Sequence, residues 1–187
     1  MAMSTRCLAL RHQLRDGRNV TLRQVNAGDG AEIVQAFERL SADSRYQRFM
    51  QHKKELNPAT LERGLHPQAG RDFVLLATIP AADGIDIVGA AQYVRAQEDD
   101  AELCEFAITV AEDWRGSGLS TQLLSSLLRQ APHDGYTVMQ GAVMAENVPM
   151  LALARKLGFE IKRLPDDATV VRVWRALELG SPPALGV

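Results

Sequence analysis

Apolar positions change period several times along the chain. Asn19 to Val25 alternates, with Val20 and Leu22 separated by Thr21 and Arg23, and period two predicts a first strand. Asn26 to Gly30 reads as a turn, after which Ile33, Val34, Phe37 and Leu40 share one helical face. Asn57-Pro58 opens a second short helix over Ala59 to Leu65. Asp72 to Ile79 and Ile85 to Val94 are rich in Val, Leu and Ile, and the turn from Pro80 to Gly84 between them predicts an antiparallel hairpin. Glu102 to Val110 continues the meander as a fourth strand. The period then switches, because Leu119, Leu123, Leu124, Leu127, Leu128 and Ala131 mark one face of a long helix. Tyr136 to Met144 predicts a strand, Val148 to Leu157 a helix closed by Gly158, and Phe159 to Leu164 with Val170 to Leu177 the last two strands.

The order predicts a mixed, mostly antiparallel α/β sheet of about seven strands flanked by helices, in one domain over residues 18 to 177. Residues 1 to 17 lack sustained periodicity and read as an N-terminal extension. Residues 178 to 187 hold two Pro and two Gly and read as a flexible tail.

Composition narrows the function. The 187 residues are 46% apolar and 24% charged, enough chain to bury a core without staples. Lys and Arg number 21 against 23 Asp and Glu, a formal net charge of -2, and the cations are scattered. Clustered cations are what nucleic-acid binding needs, so no nucleic-acid partner is expected. Cys7 and Cys104 form no ligand cluster, and the histidines at 12, 52, 66 and 133 have no helical pairing, so no metal is expected. No run approaches the length of a membrane helix and no signal peptide is evident, which points to a cytoplasmic protein with no membrane partner.

The segment with chemistry is Arg115-Gly116-Ser117-Gly118-Leu119-Ser120, between the fourth strand and the long helix. Its glycines allow a tight turn with N–H groups aimed at one point. The helix dipole and Arg115 add positive potential, so the turn reads as a pyrophosphate cradle. A dinucleotide fingerprint fails because Thr121 stands where Gly is required. A P-loop fails for want of Gly-Lys-Ser/Thr, and a nucleophile elbow because Arg115 stands where Gly is required. A plain strand-to-helix turn is the structural alternative.

This turn resembles the Arg/Gln-x-x-Gly-x-Gly/Ala signature of the GCN5-related N-acetyltransferases. Glu146-Asn147-Val148-Pro149-Met150 and Arg155-Lys156-Leu157-Gly158-Phe159 resemble the same family's Asn-led helix ending in Lys-x-Gly-Phe. Leu40-Ser41, Ser44 to Phe49 and Glu105-Phe106-Ala107 are similar to the acetyltransferase domain of bacterial protein-lysine acetyltransferases. The resemblance implies acetyl-CoA as cosubstrate, its pantetheine along Ile108, Thr109 and Val110, its phosphates on Arg115 to Ser120, and a contact from Asn147. It implies direct attack by an acceptor amine, either a protein lysine or a small molecule. Because family members are often dimers, it also allows a homodimer.

Two positions depart from the family pattern. Ser120 replaces the usual Gly or Ala of the signature, and Ala154 stands where many members carry the tyrosine that protonates the leaving thiolate. An amine must lose a proton to attack. The resemblance places that base at Glu105, which shares a strand face with Leu103 and Ala107, apolar surroundings suited to general-base work. Glu102 is the fallback, and the acidic run Glu98 to Asp100 reads as a solvated hairpin. The missing tyrosine leaves one alternative, a catalytically inactive coenzyme-A-binding module.

Overall fold

The computed structural model describes residues 9–178. Eight strands form one sheet: β1 (Leu10–Gln13), β2 (Asn19–Gln24), β3 (Phe73–Ala81), β4 (Gly84–Gln97), β5 (Asp100–Val110), β6 (Val138–Met144), β7 (Glu160–Leu164) and β8 (Asp167–Ala176). Their spatial order is β1-β2-β3-β4-β5-β6-β8-β7, and every pair is antiparallel except β5 with β6. Five helices cover it: α1 (Gly30–Arg39), α2 (Ala42–Phe49), α3 (Pro58–Leu65), α4 (Leu119–Gln130) and α5 (Val148–Lys156).

Both faces are packed, as the near-continuous apolar run of β3 requires. On one face Leu119, Leu123, Leu124 and Leu127 of α4 are fully buried against Phe106, Val143 and Val173, and Leu151 and Ala154 of α5 join them. On the other, Val74, Leu76 and Ile87 meet Ile33 and Ala36 of α1. The α1 start is pinned by Asp29, whose buried carboxylate accepts two hydrogen bonds from Arg23, at 2.8 and 2.7 Å, and one from Asn26 N–H.

The structure departs from the sequence-based expectation at three places. β1 adds an eighth strand within the supposed N-terminal extension. It is an edge strand whose Leu10 is exposed, so no apolar alternation marks it. Pro80 lies within β3, and the hairpin turn shortens to Ala82 and Asp83. β2 pairs β3 only over Leu75–Thr78, so at Pro80 no neighbour on that side needs an N–H donor. Finally, α2 is a full helix. Its sequence, ADSRYQRF, has no apolar stripe; Arg45 instead donates to the carbonyls of Phe37, Glu38 and Lys54, which ties α2 to the end of α1. The expected tail, residues 178 to 187, lies outside the described residues except for Glu178.

Candidate active site

β5 and β6 pair only at Leu103, Cys104 and Glu105 against Val138, Met139 and Gln140. From Phe106 onward β5 presents a backbone edge without a β6 partner. Phe106 packs directly over Gly141, where an added Cβ would lie 2.7 Å from the ring, and meets Phe159 with the two rings tilted at 56° and their centroids 5.3 Å apart. An aromatic pair thus sits at the base of the divergence, and a cleft of about 820 Å³ opens beyond it. Ile108, Thr109 and Val110 line one wall, Ala142 and Val143 the opposite one, and Asn147, Pro149 and Met150 close the α5 side.

The floor at one end is the turn into α4. Gly116 and Gly118 have φ of 75° and 93°, the left-handed region where a Cβ is strained. The N–H groups of Gly116, Ser117, Gly118, Ser120 and Thr121 make no hydrogen bond among the described residues. A helix start with unpaired donors is an anion seat. Arg115, Gly116, Gly118, Ser120 and Thr121 line the cleft.

Ser117 and Leu119 do not line it. The Ser117 hydroxyl is buried, donating to Trp114 O at 2.7 Å and accepting from Leu119 N–H at 3.3 Å, so it braces the turn from beneath. The Leu119 side chain is fully buried in the core.

The segment between β1 and β2 docks on the same turn. Arg15 N–H donates to Ser117 O at 3.2 Å, and the Arg18 guanidinium lies 4.0 Å over the Trp114 ring. Arg15 itself lines the cleft, and a Cβ at Gly118 would sit 3.0 Å from its Nε. Sequence reasoning missed this second cation because no pattern marks residues 9 to 18.

Arg115 is held from the side. Its guanidinium donates to Ser44 Oγ at 2.7 Å, and Ser44 Oγ donates in turn to Glu112, which also accepts from Ser41 N–H at 2.9 Å. Partial desolvation by the neighbouring chain raises the Glu112 carboxyl, but these hydrogen bonds outweigh it and hold the group at about 2. Glu112 and Ser44, neither singled out as a site residue, therefore link the N-terminus of α2 to the turn.

Glu105 lies in the cleft, alternating along β5 with Ala107 and Thr109 on the face covered by α1 to α3. Its side chain is exposed rather than enclosed by apolar neighbours as expected. Arg48 of α2 stands near it, close enough for their charges to interact. Glu102 is not at the site: it accepts from Thr137 Oγ1 at 3.2 Å, outside the cleft. Glu98 pairs with Arg71, and Asp100 caps Glu102 N–H at the β4–β5 tip. Asn147 caps α5 through a 3.2 Å bond from Met150 N–H and lines the cleft as well. Ala154 is fully buried, and none of Tyr46, Tyr93 and Tyr136 lines the cleft.

The family model described as the acetyltransferase (GNAT) family matches residues 31–159. An acetyltransferase of Pseudomonas aeruginosa is 32% identical over 158 residues, 84% of each chain. The GNAT domain of a Streptomyces lividans protein named PAT superposes with a TM-score of 0.82 at 24% identity, covering 90% of this chain and 97% of that one. A Salmonella typhimurium structure described as a putative acetyltransferase with its cofactor acetyl-CoA gives 0.68 at 19% identity, covering 88% and 96%. Both solved structures share the fold. With the divergent β5–β6 pair, the glycine turn and these matches in hand, the chain belongs to the GNAT family of acetyltransferases.

Proposed function

We propose that this protein acetylates a primary amine from acetyl-CoA, with Glu105 taking the proton of the acceptor. The observation that carries the reading is the meeting, in one cleft, of four residues with unpaired N–H groups and two arginines at the α4 turn with an open β5 edge and a carboxylate. The glycine turn fits a diphosphate: a Cβ at Gly118 would crowd Arg15, and the donors have no competing partners.

Arg15, Arg115 and the N–H groups of Gly116, Gly118, Ser120 and Thr121 would hold the phosphates, and Ile108 to Val110 would hydrogen-bond the amide-rich arm as an added strand does. Bound acetyl-CoA supplies the thioester, whose C–S bond breaks as the acceptor nitrogen bonds the acetyl carbon. Glu105 accepts the proton that this nitrogen sheds, and the N–H groups near Val110 face the charge that develops on the carbonyl oxygen. With Ala154 in place of a tyrosine, solvent protonates the departing sulfur.

Buried Ala154 favours one other reading, a module that binds coenzyme A without turnover. A thermal melt with acetyl-CoA followed by thiol release in a panel of amines separates the two. The expected result is a raised Tm and release of thiol that depends on added amine. In Glu105→Gln the Tm shift persists while the rate falls about 10²-fold. A raised Tm with no amine-dependent release establishes the silent module instead, and an unchanged rate in Glu105→Gln removes that residue from the chemistry.

A further inference from the structure

An apolar cavity of about 170 Å³ lies between α1 to α3 and the sheet, walled by Ile33, Phe37, Leu61, Leu76, Ile87 and Ala90. It adjoins the active-site cleft, since Arg48, Phe49, Ala107 and Thr109 line both. Glu105 is the next residue toward the cleft on the strand face that carries Ala107 and Thr109. A cavity of this size holds a ring or a branched aliphatic group, because an engineered apolar void of about 150 Å³ takes up benzene.

Arg48 stands where the two spaces meet. It is half-buried, and among the described residues it makes no hydrogen bond or ion pair; its guanidinium lies 4.7 Å over the Phe49 ring. Its neighbour Arg45 differs, with three of its nitrogens donating to main-chain carbonyls. Burial pushes Arg48 down to about 10, a shift partly offset by the charge of Glu105, so it is cationic at neutral pH. A guanidinium that no protein acceptor occupies is free to receive a ligand, and its planar fork matches a carboxylate.

Resting on the acetyl-transfer reading above, we infer that the acceptor is a free α-amino acid with an apolar side chain. Its carboxylate meets Arg48, its amine meets Glu105, and its side chain enters the cavity. One molecule then satisfies a cation, a base and an apolar hole that lie side by side. A lysine within a protein chain offers the amine alone.

The test compares L-leucine with 3-methylbutylamine, the same skeleton without the carboxylate, together with glycine and a lysine-containing peptide. Each is titrated calorimetrically into the protein loaded with coenzyme A, and each is assayed for kcat/KM. Leucine is expected to bind and react at least about 10-fold better than 3-methylbutylamine or the peptide, the scale of hydrogen bonds to a charged group. Glycine binds more weakly for want of a side chain. In Arg48→Gln, checked for folding by its Tm, the leucine to 3-methylbutylamine ratio falls toward one. In Ala36→Leu, which fills the cavity, the leucine to glycine ratio falls. Equal binding of leucine and 3-methylbutylamine, a ratio untouched by Arg48→Gln, or preference for the peptide overturns the inference. Binding of leucine that depends on Arg48 without any acetylation sinks the catalytic reading and leaves this ligand site standing.

Discussion

Gly118 carries two constraints at once, a left-handed backbone and the Arg15 guanidinium where a Cβ would stand. Gly118→Ala is expected to cost about 1–2 kcal/mol of stability from the left-handed backbone and to weaken coenzyme A binding, measured by calorimetry. Gly116 has the backbone constraint with open space around it, so Gly116→Ala loses similar stability but less affinity. The Glu112 relay yields a pH dependence. Its folded-state pKa lies below the ordinary value, so its contribution is fully present above about 4.5 and is lost as pH falls toward 2. Because the side chain is exposed, solvent screening reduces that contribution to about 1 kcal/mol. Denaturation midpoints of the parent and Glu112→Gln should therefore differ at pH 7 and converge near pH 2. Ser44→Ala, which cuts the same relay, is expected to raise the Kd for coenzyme A several-fold by releasing Arg115. The glycines, Arg115 and Ser120 were legible in the sequence because a turn into a helix has local chemistry. Arg15, Ser44 and Glu112 were not, because their partners are brought to them only by the fold.

At the scale of elements, legibility followed periodicity. The leucines of α4 repeat at helical spacing and the strands of the meander alternate, so their boundaries fall within a few residues of those observed. In α2 the anchoring is polar: Ser41 caps it, and Arg45 holds it to α1. A hydrophobic pattern cannot reveal such a helix, although it supplies Arg48, Gln47 and Phe49 to the cleft. The divergence of β5 and β6 likewise leaves no local signal, since it occurs where Phe106 lies over Gly141, residues 35 positions apart in sequence. Gly141→Ala tests this. A methyl in contact with the ring must push it or the strand aside, at a cost of about 1–3 kcal/mol, read from the urea midpoint. The same variant should bind coenzyme A more weakly, because the strand separation shifts.

Across the whole molecule, the eight strands belong to one sheet, yet the sheet is stitched unevenly. Nine register pairs join β3 to β4, eight join β4 to β5 and seven join β6 to β8, whereas three join β5 to β6 at the middle of the sheet. Beyond that junction, the backbone amides of β5 and β6 that point into the gap, away from β4 and β8, have no strand partner to slow their exchange with solvent. Hydrogen exchange followed by mass spectrometry should show the peptides covering 106–110 and 141–144 among the faster-exchanging strand segments, and coenzyme A should protect both. Protection confined to the α4 turn would mean that the ligand is held by its phosphates alone. A molecule filling the gap would stand as a ninth strand between β5 and β6, so the protein loaded with its acyl donor is expected to be stiffer across that seam than the free one, two half-sheets on a short join becoming a single plate.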